Sequence, residues 1–94
     1  MAKLLKIGIA GCGAIGSSLA KAVVSDFSDK AELVSLYDAE AKKAYGLSNR
    51  LNRKIAALNL QDLINKADLV IEATKAESAY DIIRKSILAG RDIM

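Results

Sequence analysis

Three glycines near the start of the chain have the spacing of a phosphate-binding turn. Gly11, Gly13 and Gly16 fit the pattern G-x-G-x-x-G, in which each glycine has a separate task. The first permits a tight turn off a strand, the second lets a pyrophosphate approach the backbone, and the third lets a helix pack closely on the sheet. The amides of Ala14 and Ile15 would then point at the phosphates from the first helical turn. The alternative is that the glycines serve helix–strand packing alone.

Asp38 is the second candidate binding residue. It ends an apolar segment 22 residues after Gly16, close to the spacing of about 20 at which a ribose-binding acid is expected. A carboxylate there accepts hydrogen bonds from both adenosine ribose hydroxyls and repels a 2′-phosphate, so NAD is favoured over NADP. NADP stays an alternative because Lys42 and Lys43 follow closely, although we expect them on the solvated face of a helix. The competing interpretation is that Asp38 only caps that helix.

A later apolar run ends in Ala73 and Thr74, two further candidate cofactor-binding residues. Ligands of open α/β sheets bind outside the carboxyl ends of the strands, and small residues there leave room for the ribose or nicotinamide end of a cofactor. Glu72 is a candidate polar group of the same site, with an exposed strand-end acid or a salt bridge as the alternative. Cys12, the single cysteine, is interpreted as a tolerated small residue of the glycine motif rather than a redox centre.

The patterns around these residues predict alternating strands and helices. Ser78 and Asp81 have the spacing of a capping box before the last helix, and Gly90 stands where a C′ residue belongs. The order predicts the α/β class: a Rossmann-type parallel sheet with helices on both faces and right-handed connections. Residues 1–94 are expected to form one truncated dinucleotide-binding domain. Strands are predicted at 4–10, 33–37, 54–58, 68–73 and 92–94, and helices at 14–26, 39–51, 60–66 and 79–87.

Composition excludes several other classes of function. The 14 basic and 11 acidic residues are scattered, and one phenylalanine with three tyrosines offers few stacking platforms, so nucleic-acid binding is not expected. One cysteine and no histidine exclude a disulfide framework and a zinc site. No apolar run approaches 18 residues and the charged N-terminus does not fit a signal peptide. We therefore expect a soluble, cytoplasmic protein without a membrane partner.

Four segments of the chain together resemble the N-terminal domain of L-aspartate dehydrogenases, in the aspartate/homoserine dehydrogenase-like group. They are the glycine motif with its strand, Tyr37–Asp38, "ADLVIEA" at 67–73 and "ILAGRDIM" at 87–94. The last two discriminate best, because many dehydrogenases share the glycine motif. The resemblance spans essentially the whole chain. It carries over to the cofactor positions only: Gly11, Gly13, Ala14, Ile15, Gly16, Asp38, Ala73 and Thr74.

The resemblance also implies what this chain lacks. Members of that family are more than twice as long, and their second α/β domain supplies substrate contacts, a catalytic histidine and the subunit interface. This chain has no histidine, so the resemblance implies a cofactor-holding domain that needs a missing C-terminal domain or partner subunit for turnover. For the full enzyme it implies NAD(P)-dependent oxidation of L-aspartate to iminoaspartate, a step that can feed NAD biosynthesis, with homoserine as the runner-up substrate.

Two alternatives concern function and assembly. NAD-sensing regulatory domains of potassium transport systems also carry a glycine turn and a strand-end acid, so a non-catalytic sensor is the competing function. A strand at 92–94 that is left unpaired on one side would favour a homodimer.

Overall fold

The computed structural model describes residues 3–94, apart from the side chain of Ala76. Its four strands are all parallel and lie in the order β2-β1-β3-β4, which confirms the predicted sheet. The strands are β1 (Leu5–Ala10), β2 (Ala31–Tyr37), β3 (Leu69–Glu72) and β4 (Asp92–Ile93). The helices are α1 (Ala14–Ser25), α2 (Ala41–Arg50), α3 (Leu60–Lys66) and α4 (Ala76–Leu88).

Two hydrophobic clusters cover opposite faces of this sheet, because successive side chains of a buried strand point to opposite sides. Ile7 and Ile9 of β1 pack with α1 and α2 on one face. Ala10 of β1 and Val70 of β3 pack with α3 and α4 on the other. Right-handed crossovers account for α1 on one face and α3 on the other, since the chain moves outward from β1 to β2 and then returns to β3. The reversal of strand order at β1 places a crevice at the carboxyl ends of β1, β2 and β3.

The predicted strand at 54–58 is wrong in extent, because only Ala56 bridges to Leu36 of β2. The Ile55 carbonyl accepts from the Leu36 amide and the Ala57 amide donates to the Leu36 carbonyl, and these two hydrogen bonds form the whole bridge. Two other amides of the segment donate to side chains instead. The amide of Ile55 donates to Ser48 Oγ, and the amide of Leu58 donates to Asp62 Oδ2, each at 3.0 Å. The segment therefore turns away from the sheet after one bridge.

The predicted capping box at Ser78 and Asp81 is also wrong. Helix α4 begins at Ala76 with Lys75 as its N-cap, so Ser78 already lies in the first turn, where its amide donates to the Lys75 carbonyl. A variant of the capping box forms at α3 instead, in which the N3 side chain accepts from the amide before the N-cap Asn59. There the Asp62 amide donates to Asn59 Oδ1 at 2.8 Å, while the Asp62 carboxylate accepts from the amide of Leu58, the interaction that contributes most to lowering the pKa of Asp62.

The C-terminal end of α4 agrees with its prediction. Gly90 has φ +74°, its amide donates to the Ile87 carbonyl, and the amide of Arg91 donates to the Ser86 carbonyl. These are the two hydrogen bonds of a Schellman motif with Gly90 at C′. Across residues 3–94, no helix is long and apolar enough to cross a bilayer.

Candidate functional site

Gly11 begins the turn that leads from β1 to α1. Its φ of +109° is unfavourable for residues with a side chain, and its amide donates to the Tyr37 carbonyl of β2 at 2.7 Å. A Cβ at this position would lie 2.5 Å from the carbonyl oxygen of Ala73, in the loop after β3. Gly11 therefore allows the turn to pack against β2 and the β3–α4 loop together.

Gly16 allows α1 to lie directly on the same turn. A Cβ on Gly16 would stand 1.8 Å from the carbonyl oxygen of Gly11, a distance that no small adjustment relieves. Gly16 is buried within the first turns of the helix. The structure thus places it as a contact between α1 and the turn, away from the open side of the site.

Gly13 is the glycine that borders open space. Apart from Gly13 and its two chain neighbours, no heavy atom of the described residues lies within 4 Å of the position that a Cβ on Gly13 would take. Gly13 is the N-cap of α1, and the first turn of that helix contains no acidic residue. The amides of Ala14 and Ile15 belong to the first turn, whose N–H groups have no intrahelical acceptor. The side chain of Ile15 is 70% exposed.

Asp38 connects the end of β2 to the glycine turn. Its Oδ2 accepts from the amide of Cys12 at 2.8 Å and its Oδ1 accepts from the amide of Glu40 at 2.9 Å. The N-cap of α2 is Glu40, so Asp38 fixes the turn that precedes the helix without being its N-cap. Each carboxylate oxygen retains acceptor capacity for a further donor.

Ala73 and Thr74 form the third side of the site. The amide of Ala73 donates to the carbonyl of Ala10 at 2.8 Å, which holds this loop against the end of β1. The Glu72 carboxylate accepts from both the amide and the hydroxyl of Thr74. Glu72 therefore stabilises its own loop, and forms no ion pair with any residue that the structure describes.

A cavity of about 340 Å³ opens where these three chain segments meet, and we call it the main cleft. Five of the eight predicted cofactor positions line it: Gly11, Gly13, Asp38, Ala73 and Thr74. The sequence does not assign its other lining residues to a binding site, although Lys43 is weighed there as a cation near Asp38 and Ser78 as a helix cap. Lys75 directly follows the predicted pair Ala73–Thr74. The other lining residues are Ala39, Glu40, Lys43, Lys75 and Ser78.

A second cavity, of about 450 Å³, lies on the other side of Gly13 and is called the basic cavity here. Ala14 lines it, together with the cations Lys42, Lys43 and Arg50 of α2. The lysines were expected on a solvated helix face, and Arg50 was not singled out. Lys42 and Arg50 are eight residues apart, so they lie on one side of a helix. From this spacing the sequence alone could have predicted a basic helix face.

Cys12 lies inside the turn and is not a reactive thiol. It is 5% exposed, and its Sγ–H donates to the Tyr37 carbonyl. Burial, with a smaller contribution from the Asp38 carboxylate, raises the pKa of Cys12 to about 11, against the opposing effect of Arg50. The thiol is therefore protonated at neutral pH. Among residues 3–94 no group of three or more His, Cys, Asp or Glu residues is arranged to hold a metal ion.

Known proteins resemble the chain along nearly all of its length. The family model described as "Homoserine dehydrogenase, NAD binding domain" matches residues 11–94. The L-aspartate dehydrogenase of Methanosarcina mazei is 39% identical over 92 residues, which are 97% of this chain and 34% of that protein. The enzyme of Methanocaldococcus jannaschii is 37% identical over the same shares of both chains. This chain thus spans about a third of the length of these relatives.

Solved structures of more distant proteins share the fold. GenD2 from gentamicin A biosynthesis, solved in complex with NAD, has a TM-score of 0.85 at 22% identity over 99% of this chain and 26% of its own. The WlbA dehydrogenase from Bordetella pertussis, solved with NADH and UDP-GlcNAcA, has a TM-score of 0.83 at 22% identity over 97% of this chain and 28% of its own. At these identities the likeness shows the Rossmann-type fold alone.

Proposed function

Because the chain belongs to the family of homoserine dehydrogenase NAD-binding domains, we propose that its main cleft holds NAD for an amino-acid dehydrogenase, with the pyrophosphate over Gly13. The observation that carries this assignment is the open space at Gly13 beside the N-terminus of α1. An anion there meets backbone N–H groups and the positive end of the helix dipole.

The predicted site residues divide into three roles. Gly11 and Gly16 shape the turn, since a side chain on either would collide with backbone atoms. Gly13, Ala14 and Ile15 present backbone to the phosphates. Asp38 accepts from the adenosine ribose hydroxyls, and Ala73 and Thr74 border the nicotinamide end. NAD held by these residues would supply the hydride-accepting nicotinamide, and the residues of this chain would orient it and provide the surrounding charges.

NADP is the weaker second ligand in this proposal. The Asp38 carboxylate repels a 2′-phosphate, whereas Lys42, Lys43 and Arg50 in the basic cavity attract one. The Asp38 carboxylate contacts the glycine turn directly, because it accepts a hydrogen bond from the Cys12 amide. We therefore expect tighter binding of NADH than of NADPH, but not exclusion of NADPH.

For the whole enzyme we propose oxidation of L-aspartate, with homoserine as the second candidate. The first follows the L-aspartate dehydrogenases of the two methanogens, and the second follows the description of the family model. Residues 1–94 then form the dinucleotide-binding domain, and the substrate contacts and catalytic groups belong to a C-terminal domain or partner. Initial rates of NADH formation by the complete enzyme, with each amino acid in turn, decide between the two substrates.

The proposal also assigns a surface for the rest of the enzyme. Tyr80, Ile87 and Leu88 of α4 are 59–74% exposed, and β4 pairs on one side only within the described chain. We expect the remainder of the enzyme to cover this apolar side. When the chain is alone, the same surface favours a homodimer, and light scattering that gives a clean monomer would contradict that part. The cytoplasmic location stays a prediction.

Calorimetry with NADH and the 94-residue chain tests the central proposal. We expect saturable binding, and weaker binding of NADPH. Circular dichroism verifies that the chain is folded under the same conditions. Absence of binding by the folded chain at millimolar nucleotide would refute the assignment of the main cleft.

A further inference from the structure

The glycine turn is held in place by a few hydrogen bonds that converge on Cys12. The Cys12 amide donates to Asp38 Oδ2 at 2.8 Å, and the Cys12 carbonyl accepts from Ser17 Oγ at 3.3 Å. The preceding amide, of Gly11, is bonded to the Tyr37 carbonyl. Both sides of Cys12 are therefore fixed immediately before Gly13, the residue that borders open space.

Asp38 differs in kind from the other partners of the turn. In the described part of the chain it is the one side-chain acceptor used by a backbone amide of residues 11–13. Hydrogen bonds to a carboxylate are stronger than bonds between neutral groups. Asp38 is itself fixed, because its second oxygen accepts from the amide of Glu40. The carboxylate thus transmits the position of β2 to the turn.

We propose that Asp38 is a positioning residue for the glycine turn, and that it promotes pyrophosphate binding through the Cys12 amide separately from any contact with ribose. The inference rests on the proposed function, since it assumes that the pyrophosphate binds at Gly13. The geometry fixes the peptide that precedes Gly13, and with it the direction of the first amides of α1. A ribose contact alone would leave those amides unaffected.

The charge of Asp38 and its hydrogen bond to Cys12 have opposite effects on the affinity for pyrophosphate. A carboxylate near an anion site disfavours the anion, so removal of the Asp38 charge by itself tightens pyrophosphate binding. Loss of the bond to Cys12 has the opposite effect, because the turn is no longer held. The asparagine variant keeps one acceptor oxygen and places an NH2 group at the other position, so it cannot accept from both Cys12 and Glu40.

The test uses inorganic pyrophosphate, which has no ribose, and the 94-residue chain labelled with nitrogen-15. Chemical-shift titrations give its affinity for wild type, Asp38→Asn and the matched control Asp29→Asn. Asp29 is an exposed carboxylate in the α1–β2 turn, at the opposite end of the sheet. We expect Asp38→Asn to weaken pyrophosphate binding about tenfold, the order of one charge-assisted hydrogen bond, and Asp29→Asn to leave it unchanged. Unchanged or tighter binding by Asp38→Asn overturns the proposal.

Amide hydrogen exchange of the wild-type chain supplies a second measurement that needs no variant. The Cys12 amide is expected to exchange more slowly than the Gly13 amide, for which the described residues offer no acceptor. Equal exchange rates overturn the proposal, whether or not Asp38→Asn folds. If wild type fails to bind NADH, the proposed function fails; if wild type binds NADH and only the Asp38→Asn result is negative, the positioning role alone fails.

Discussion

The carbonyl oxygen of Gly11 occupies the space that a side chain on Gly16 would need, at 1.8 Å from an ideal Cβ. Around a Cβ on Gly13, by contrast, the described residues other than its chain neighbours place no atom within 4 Å. Two glycines of one motif therefore differ in purpose. Gly16 is required for the fold, whereas Gly13 leaves open space where the proposed pyrophosphate binds.

Gly16→Ala and Gly13→Ala should separate these purposes. We expect Gly16→Ala to lower the free energy of unfolding by about 3 kcal/mol or more, because the backbone of the turn must move. Gly13→Ala should cost no more than about 1 kcal/mol, since Gly13 has φ −80° and is only an N-cap. Urea unfolding measures both changes. Calorimetry should show NADH affinity lowered at least tenfold or so in folded Gly13→Ala; full affinity there would contradict the pyrophosphate position.

Asp38→Ala should weaken NADH more than NADPH. The variant loses a ribose acceptor for both nucleotides, but for NADPH it also removes a repulsion against the 2′-phosphate. We expect a loss of about tenfold for NADH and a smaller one for NADPH, measured by calorimetry. Equal losses would show that Asp38 does not discriminate between the two cofactors.

The basic cavity should affect NADPH selectively. The double change Lys42→Ala with Arg50→Ala removes two cations that line it, so NADPH should bind more weakly while NADH changes little. Lys30→Ala is the matched control, because Lys30 is an exposed cation in the turn immediately before β2. Fluorescence titrations at low ionic strength give both affinities. A parallel loss for both nucleotides would place these cations near the shared part of the cofactor.

Asn59→Ala and Ser78→Ala compare the observed capping box with the one expected from the sequence. Asn59→Ala removes an acceptor for the Asp62 amide and should cost about 1 kcal/mol of stability. Ser78→Ala changes no N-cap and should alter stability by less than about 0.5 kcal/mol. Thermal unfolding under identical conditions gives the comparison, and the reverse ranking would place the start of α4 at Ser78.

The buried thiol of Cys12 gives the chain a stability that decreases in alkali. Its pKa is about 11 in the folded chain and 9.0 ordinarily, so below pH 9 the thiol is protonated in both states. As the pH rises from 9 to 11 the unfolded chain loses this proton first, and the free energy of unfolding falls. Urea titrations at several pH values should show a steeper fall for wild type than for Cys12→Ala. Identical slopes would mean that burial does not shift this pKa.

The sheet and most of its elements were predictable because the signals are local and strong. Apolar runs and a change of period mark β1, α1 and β3, and the structure reproduces them to within a few residues. The start of β2 at Ala31 was missed by two residues, since Glu32 interrupts the apolar run while the backbone still pairs with Lys6 of β1. Strand length depends on partners that a single segment does not reveal.

The site was predictable where each residue type has a single geometric reason to be present. Gly11, Gly13, Asp38, Ala73 and Thr74 do meet at one cleft. Its remaining residues could not be inferred in the same way. A lysine such as Lys75 is expected at the solvent-exposed surface, and only the three-dimensional arrangement of the loops places it at the cleft. The capping box was misplaced for a related reason. Asn59 and Ser78 both have acidic residues three positions later, and only the backbone conformation determines which of the two is the N-cap of a helix.

The single bridge between Leu36 and Ala56 makes the two borders of the sheet unequal. On that side, the 55–58 segment covers the carboxyl end of β2, and side chains hold the amides of Ile55 and Leu58. On the other side, β4 is only two residues long, and α4 carries exposed apolar residues. We therefore expect strand addition, whether by the proposed remainder of the enzyme or by aggregation of the isolated chain, to occur at β4, and a charged substitution on that strand to reduce aggregation.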